Sequence, residues 1–338
     1  MKNETKNAPR LESILNLLAS GPLSRLNLQA SLQNITRPTL LRDLQKLLLS
    51  GQIITLGTGR STLYQLADYN PLLSHPRSRD LNLEIRFNPT IFDHLHHLLT
   101  PAEQSLPLRN LHEAIQILGP IITKKEKERF IIDFAWKSSA IEGNTYTLSE
   151  TATLLTTGSP AISKTSYETQ MILNHRDTLN YIWDHPLKPN QLSLDYILHI
   201  HTLLTAGLNI KPGIRHLPVG ISGSLYLPLT NPQTIFLSLK QTIEIINQTQ
   251  NPLEKTLIAV AMLSYIQPFV DGNKRTARTI GNVLLLSHNL IPISYRTVDE
   301  KSYCDALLLF YEQNSLLTFK NLLLEQLTFS HSHYFRTK

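Results

Sequence analysis

Between Leu257 and Leu285 the chain runs through two strongly apolar segments joined by a short loop. Leu257 to Ile266 reads as a buried helix, Pro268 and Gly272 break it, and Thr276 to Leu285 reads as a second helix. Because both flanks are apolar, the loop belongs to the core scaffold. A loop ending at a helix N-terminus directs unpaired backbone N–H groups at one spot, where the helix dipole also favours an anion. Asn273 adds a side-chain donor, Lys274 and Arg275 add charge, and Arg278 lies one turn on, on nearly the same face as Arg275. Asp271 is the one acid of this cluster and suits a Mg²⁺ shared with phosphate oxygens. The stretch reads as a polyphosphate cradle.

The run from Gln267 to Arg278 resembles the signature loop of the Fic (Fido) family, His-Pro-Phe-x-Asp/Glu-Gly-Asn-x-Arg-x-x-Arg, with Gln267 standing where His is expected. Members mostly transfer AMP from ATP to a protein hydroxyl. The resemblance implies Asp271 on the metal, Gly272 and Lys274 within the nucleotide-binding loop, Asn273 at the α-phosphate, Arg275 at the β-phosphate and Arg278 at the γ-phosphate. The position of Gln267 is that of the family's general base. A Gln amide cannot take up a proton near neutral pH; it can only form hydrogen bonds, and a positioned base contributes ~10²–10⁴-fold. Lys274 stands where Gly is common in AMP-transferring members; relatives with Lys include ones that transfer a different part of the nucleotide.

At 338 residues the chain suits two domains. Charged residues make up 17%, below the usual ~25%, and 41% are hydrophobic, which excludes a disordered chain. The polar start Met1–Asn7 has no signal-peptide core, no apolar run reaches the ~20 residues of a membrane helix, and Cys304 is the only cysteine. The expectation is a cytoplasmic protein with no membrane partner. Net charge is +6. Residues 1–70 hold eight Lys/Arg against four Asp/Glu, or +4, and the remainder holds 24 against 22, or +2.

That basic first part, residues 1–67, reads as a winged helix-turn-helix. Leu11 to Ala19 has helical spacing, Ser24 caps a second helix, and Thr36 caps a third with Pro38 in its first turn. Leu41, Leu44, Leu47 and Leu48 form the third helix's buried stripe, and Gly51 ends it. Residues 52–56 and 61–66 read as a hairpin wing. Arg37, Thr39, Arg42 and Lys46 lie off the stripe, available to a groove of duplex DNA, and Arg60 at the wing tip is within reach of phosphate. The competing reading is a winged helix used for protein contact.

Residues 68–100 read as a connector and 101–338 as an all-α core. His94, His96 and His97 read as a solvated helix face, since no acid or cysteine completes a metal site. Residues 123–143 read as a helix opened by Lys124-Lys125-Glu126-Lys127-Glu128, and an acid at its C-terminal end, Glu142, faces the unfavourable end of the dipole. Ser138-x-x-x-Glu142-Gly143 resembles the family's inhibitory motif, which implies that Glu142 pairs with Arg278 and occupies the γ-phosphate position. Leu198–Leu204 resembles the helix before the family's flap, with His201 a packed core residue. Pro212 to Pro228 resembles the flap itself; alternation around Gly220, Ile221, Ser222 and Gly223 reads as a two-stranded hairpin whose edge holds a target segment.

The resemblance covers roughly Phe87 to Leu327 and implies an all-α Fic core with a β-hairpin flap, which together with the winged helix makes the expected fold mainly α. It also implies a Mg-dependent transfer of AMP to a Ser, Thr or Tyr hydroxyl of a target protein or of itself, autoinhibited by Glu142 and weak or altered because Gln267 replaces the base His. A nucleotide-sensing DNA-binding regulator without transferase activity is the alternative, and a homodimer is carried as a further partner.

Overall fold

The computed structural model describes residues 8–19, 21–32, 35–67, 69–80 and 82–337, with the backbone alone at Ala8 and Arg60. Met1–Asn7, Asp68 and the Arg60 side chain, on which sequence expectations fell, lie outside the described residues. Two compact units divide the chain at Arg77/Ser78.

The first unit holds helices α1 (Ala8–Leu18), α2 (Arg25–Ser31) and α3 (Arg37–Leu49) and strands β1 (Leu23–Ser24), β2 (Ile53–Leu56) and β3 (Leu63–Leu66). The strands form one antiparallel sheet in the order β1-β3-β2, with Ile53 opposite Leu66 and Leu23 opposite Tyr64. Ser24 caps α2 by accepting from the Asn27 amide at 3.2 Å. The buried stripe of α3 differs from expectation. Leu40, Asp43, Leu44 and Leu47 face inward, whereas Leu41 and Leu48 are exposed. Leucines at 40, 41, 44, 47 and 48 satisfy two overlapping helical stripes equally well. The tie is resolved by Asp43, which is buried yet compensated by an ion pair with Arg10 of α1.

The second unit is helical. Its elements are α4 (Pro101–Gln104), α5 (Leu111–Ala140), α6 (Leu148–Thr157), α7 (Ser166–Asp184), α8 (Leu194–Thr205), α9 (Pro232–Gln248), α10 (Pro252–Ile266), α11 (Asn273–Ser287), α12 (Glu300–Gln313) and α13 (Leu317–His333). Among the described residues no helix is long and apolar enough to cross a membrane. Every residue of α10 from Leu253 to Ile266 is buried, as expected for the apolar run Leu257–Ile266. Of the buried charges in its first turn, Glu254 is bonded to the Leu98 amide and Lys255 to Asn190 and the Ile246 carbonyl. It packs against α9, α11 and α12, while α11 also meets α5, α7 and α8. Gly281 lets α10 and α11 approach closely. A Cβ there would lie 2.8 Å from Cγ2 of Val260 and 3.2 Å from Cγ2 of Thr256.

Three further expectations are corrected. The helix read at 123–143 begins at Leu111 and is kinked at Gly119 (φ 71°), because Pro120 fits a first helical turn while glycine absorbs the left-handed step before it. The second part of the supposed connector 68–100 is built into the helical unit. Strand β4 (Ile85–Arg86) pairs with β5 (Tyr226–Leu227), Phe87 stacks on Tyr265 at 4.8 Å, and the Leu98 amide donates to Glu254 at 2.6 Å. Residues 212–228 form no hairpin. The only strand among them is β5, parallel to β4. Pro212, Pro218 and Pro228 have no N–H for a ladder.

Candidate functional site

The turn between α10 and α11 is held by its own polar groups. Gln267 caps α10 in the left-handed region (φ 51°, ψ 60°), its amide donating to the Leu263 carbonyl at 3.2 Å. Asn273 accepts from the Phe269 amide at 2.8 Å and donates to the Phe269 carbonyl at 2.9 Å, closing the turn in both directions. Oδ1 of Asp271 accepts from the Gly272 amide at 2.5 Å, and its Oδ2 meets Nη2 of Arg275 at 3.0 Å and the Tyr167 hydroxyl at 3.3 Å. Gly272 takes φ 82°, with Cγ2 of Thr205 and the His201 ring 3.2 and 3.5 Å from where a Cβ would stand. His201 is buried, stacks on Phe269 at 3.7 Å and donates from Nε2 to the Asp271 carbonyl at 3.0 Å.

On α11, Arg275 and Arg278 are both fully buried. Arg278 donates from Nε to Oγ of Ser138 (3.0 Å) and from Nη2 to the Ser138 carbonyl and Oε1 of Glu142 (2.8 Å each), and its guanidinium lies 5.3 Å from the Tyr303 ring. Lys274 approaches Oε2 of Glu142 at 3.4 Å. Burial alone would raise the Glu142 carboxyl, but Arg278, Lys274 and Arg275 outweigh it and hold the group below the usual carboxylate range. Nε and Nη1 of Arg275 and Nη1 of Arg278 have no hydrogen-bond partner among the described residues.

Behind this pair lies a histidine that sequence reasoning missed. Nδ1 of His175 donates to the Met171 carbonyl at 2.8 Å, which leaves Nε2 to accept from the Ser138 hydroxyl at 2.9 Å. Burial pushes the ring down to about 3, so it is neutral at physiological pH and the hydroxyl keeps its orientation toward Arg278.

A cavity of about 460 Å³ opens over the turn, lined by Glu142, Gly220, Ile221, Ser222, Gln267, Asp271, Asn273 and Lys274 among others. Gly223 does not line it; its carbonyl accepts from Arg79 at 2.6 Å. Gly143, next to Glu142, is exposed at φ 87°. Nε2 of Gln267 donates back to the Ser264 carbonyl at 2.7 Å. His216, in the same segment as the cavity rim, is exposed to solvent. Among the described residues no group of three or more His, Cys, Asp or Glu side chains is placed to hold a metal. Arg215 was also missed; it is buried and bonded only to backbone carbonyls. A charged residue in a loop carries no sequence signal that it will be buried.

In the first unit, Arg37, Arg42 and Lys46 are exposed along α3, and the hydroxyl of Thr39 bonds to that of Thr36 at 2.8 Å.

The Fic/DOC family model matches residues 191–285, which contain α8 to the last turn of α11 and the whole turn between α10 and α11. A protein adenylyltransferase Fic from Nematostella vectensis is 27% identical over 197 residues, 56% of this chain and 45% of that protein. Protein adenylyltransferase fic-1 from Caenorhabditis elegans is 25% identical over 166 residues, 47% of this chain and 32% of that protein. The chain spans less than half the length of these curated relatives. Among solved structures, a segment of Fic-1 from C. elegans superposes with a TM-score of 0.55 at 20% identity, covering 72% of this chain and 70% of that one. A Fic family protein from Desulfovibrio desulfuricans superposes at 0.54 with 21% identity, covering 73% and 74%. At such identities these two likenesses speak for the fold.

Proposed function

We propose that the cavity over the α10–α11 turn binds MgATP and that the chain is a Fic-type nucleotidyltransferase acting on protein hydroxyls, a reading supported by the match of the Fic/DOC family model to residues 191–285. The observation that carries this reading is the pair Arg275 and Arg278. Two buried guanidinium groups retain unpartnered N–H donors beside the turn, a costly arrangement that anionic oxygens would satisfy. Asn273 and Lys274 line the cavity next to them. Asp271 has a half-exposed carboxylate, which fits a Mg²⁺ held by one acid with phosphate oxygens completing its shell. The ion would neutralise charge that develops on the phosphates.

Glu142 acts as an internal competitor in this reading. It takes the donor of Arg278 that a terminal phosphate would use, so nucleotide must displace it, and Ser138 and Gly143 complete an inhibitory motif. The segment with Gly220, Ile221, Ser222 and Gly223 holds the incoming target. Gln267 is the position from which a base would act. Its amide is turned back onto Ser264 and cannot take the hydroxyl's proton, so transfer is slow and rests on positioning and charge neutralisation. That same observation favours a second reading, in which the site only senses nucleotide and the first unit answers as a winged-helix DNA binder through Arg37, Thr39, Arg42, Lys46 and Arg60.

The test is titration of the full chain with MgATP by calorimetry, followed by mass spectrometry of Gln267→His combined with Glu142→Gly after incubation with ATP. Arg275→Ala is expected to weaken binding by roughly tenfold or more, as loss of a charged hydrogen-bonding group does. The double variant is expected to gain an AMP adduct. Unchanged affinity in Arg275→Ala overturns the nucleotide assignment. Confirmed binding with no adduct on the protein or in a host lysate selects the sensing reading, for which salt-sensitive binding to duplex DNA is the next measurement.

A further inference from the structure

Arg215 is 2% exposed, and no carboxylate is among its hydrogen-bond partners. Burial lowers its pKa, yet a guanidinium stays charged under any such shift, so the cation is compensated by carbonyl dipoles alone. These carbonyls are not a random set. Nε donates to the Gln267 carbonyl at 2.7 Å, Nη1 to the Leu217 carbonyl at 2.8 Å, and Nη2 to the Leu229 carbonyl. The Arg215 amide donates to the Pro268 carbonyl at 3.0 Å. One residue therefore grips two consecutive carbonyls of the turn and both ends of the loop from Leu217 to Leu229.

The turn needs such a grip. Gln267 is a non-glycine residue at φ 51°, a conformation that costs energy for any residue with a Cβ and persists only where its surroundings impose it. Its φ and ψ decide where the side chain at 267 leaves the backbone, and the loop held from the other two donors carries Gly220, Ile221 and Ser222 to the same cavity.

We propose that Arg215 is a positioning residue that fixes the left-handed turn at Gln267 and the loop 217–229 as one unit. It acts through position 267, setting the direction from which that side chain meets a substrate hydroxyl relative to the rim that holds the target. The substrate in this statement rests on the nucleotidyltransferase reading; the coupling of turn and loop does not.

Hydrogen exchange of the full chain without nucleotide, read by mass spectrometry, tests the coupling. Arg215→Lys keeps charge and length but loses the fork that reaches three carbonyls. Exchange is expected to quicken about tenfold, the size of one lost charged hydrogen bond, in peptides from both 264–270 and 216–229. These include the protected amides of Gln267, Phe269, Ser224 and Tyr226. Adding Gln267→Gly, which removes the strain, is expected to restore 264–270 and leave 216–229 loose. Loosening of 216–229 alone overturns the proposal, since Arg215 would then close only its own loop. Loosening of the entire helical unit, or failure of Gln267→Gly to restore the turn, overturns it as well. Because no nucleotide is present, these outcomes are independent of whether MgATP binds.

Discussion

The turn Gln267–Gly272 and the segment Leu217–Leu229 both line the cavity and share the anchor Arg215, but they differ in how much they hold themselves. The turn is short, runs between two apolar helices and is closed by its own side chains, Asn273 onto Phe269 and Asp271 onto the next amide, while Arg215 and His201 take the Gln267, Pro268 and Asp271 carbonyls. The segment is more than twice as long and bonds little to itself; the Ser224 amide to the Ile221 carbonyl at 3.2 Å and the Tyr226 amide to Oγ of Ser224 at 3.1 Å are among its few internal contacts. It is fastened from outside, by Arg215 at its ends, by Arg79 and Glu312 at Gly223 and Ser224, and by Tyr226 stacked on Tyr265 at 4.8 Å. A loop that holds itself tolerates little change within it. A loop held from outside tolerates change within it but not at its anchors.

The largest effect is expected on the turn's side of the cavity. Arg278→Ala leaves Glu142 buried among fewer cations, and loss of one partner of a buried pair costs about 3–5 kcal/mol. Urea unfolding at pH 7 measures it. Glu142→Gln is expected to cost less, because Ser138 still accepts twice from Arg278; equal losses would mean that the carboxylate, not the serine, holds the arginine.

Acid comes next. His175 has a folded value of about 3 against 6.5 unfolded. As pH falls below 6.5 the unfolded chain gains a proton that the folded one refuses until near 3, so stability declines with falling pH across that window. The slope approaches about 1.4 kcal/mol per pH unit. Urea midpoints at pH 7.5 and 5 should show it, and His175→Gln should flatten it in part, since His331 is lowered to about 4 by its own burial. Glu142 acts lower on the scale: its folded pKa is depressed, so its contribution is full at neutral pH and lost only as pH falls through the acid range.

The two loops are compared most directly through their glycines. Gly272→Ala forces a Cβ at φ 82° against Thr205, at a cost of about 1–2 kcal/mol. Gly220→Ala, smallest of all, meets nothing within 4 Å and has no positive φ, so stability should change by no more than about 0.5 kcal/mol. Thermal melts of both variants decide the matter; equal penalties would erase the distinction between the loops.

What could be read from the sequence follows the same division. The turn announces itself because Pro268, Gly272, Asp271, Asn273, Lys274, Arg275 and Arg278 are neighbours along the chain, so their chemistry shows as spacing. Glu142 drew attention as an acid at a helix end, and the fold brings it to Arg278 across 136 positions. Arg215 was invisible because its partners are the Gln267, Leu217 and Leu229 carbonyls, and a backbone oxygen carries no residue identity; His175 was invisible because its side-chain partner Ser138 lies 37 positions away. The segment 212–228 looked like a hairpin because alternation is equally present in an extended loop, and its one strand pairs with Ile85–Arg86 and not with a second strand of the segment. In α3, pattern alone could not choose between two stripes until Asp43 met Arg10.

Gly281 has a consequence for how such a site can diversify. A Cβ at 281 would stand 2.8 Å from Cγ2 of Val260 and 3.2 Å from Cγ2 of Thr256, so a larger residue there would push α11 off α10 and reset the gauge between the end of one helix and the start of the next. Arg275, Arg278 and Asn273 are mounted on that gauge. New ligand preferences must then be written on the opposite wall, in the outside-fastened segment, where side chains can be exchanged without moving the frame.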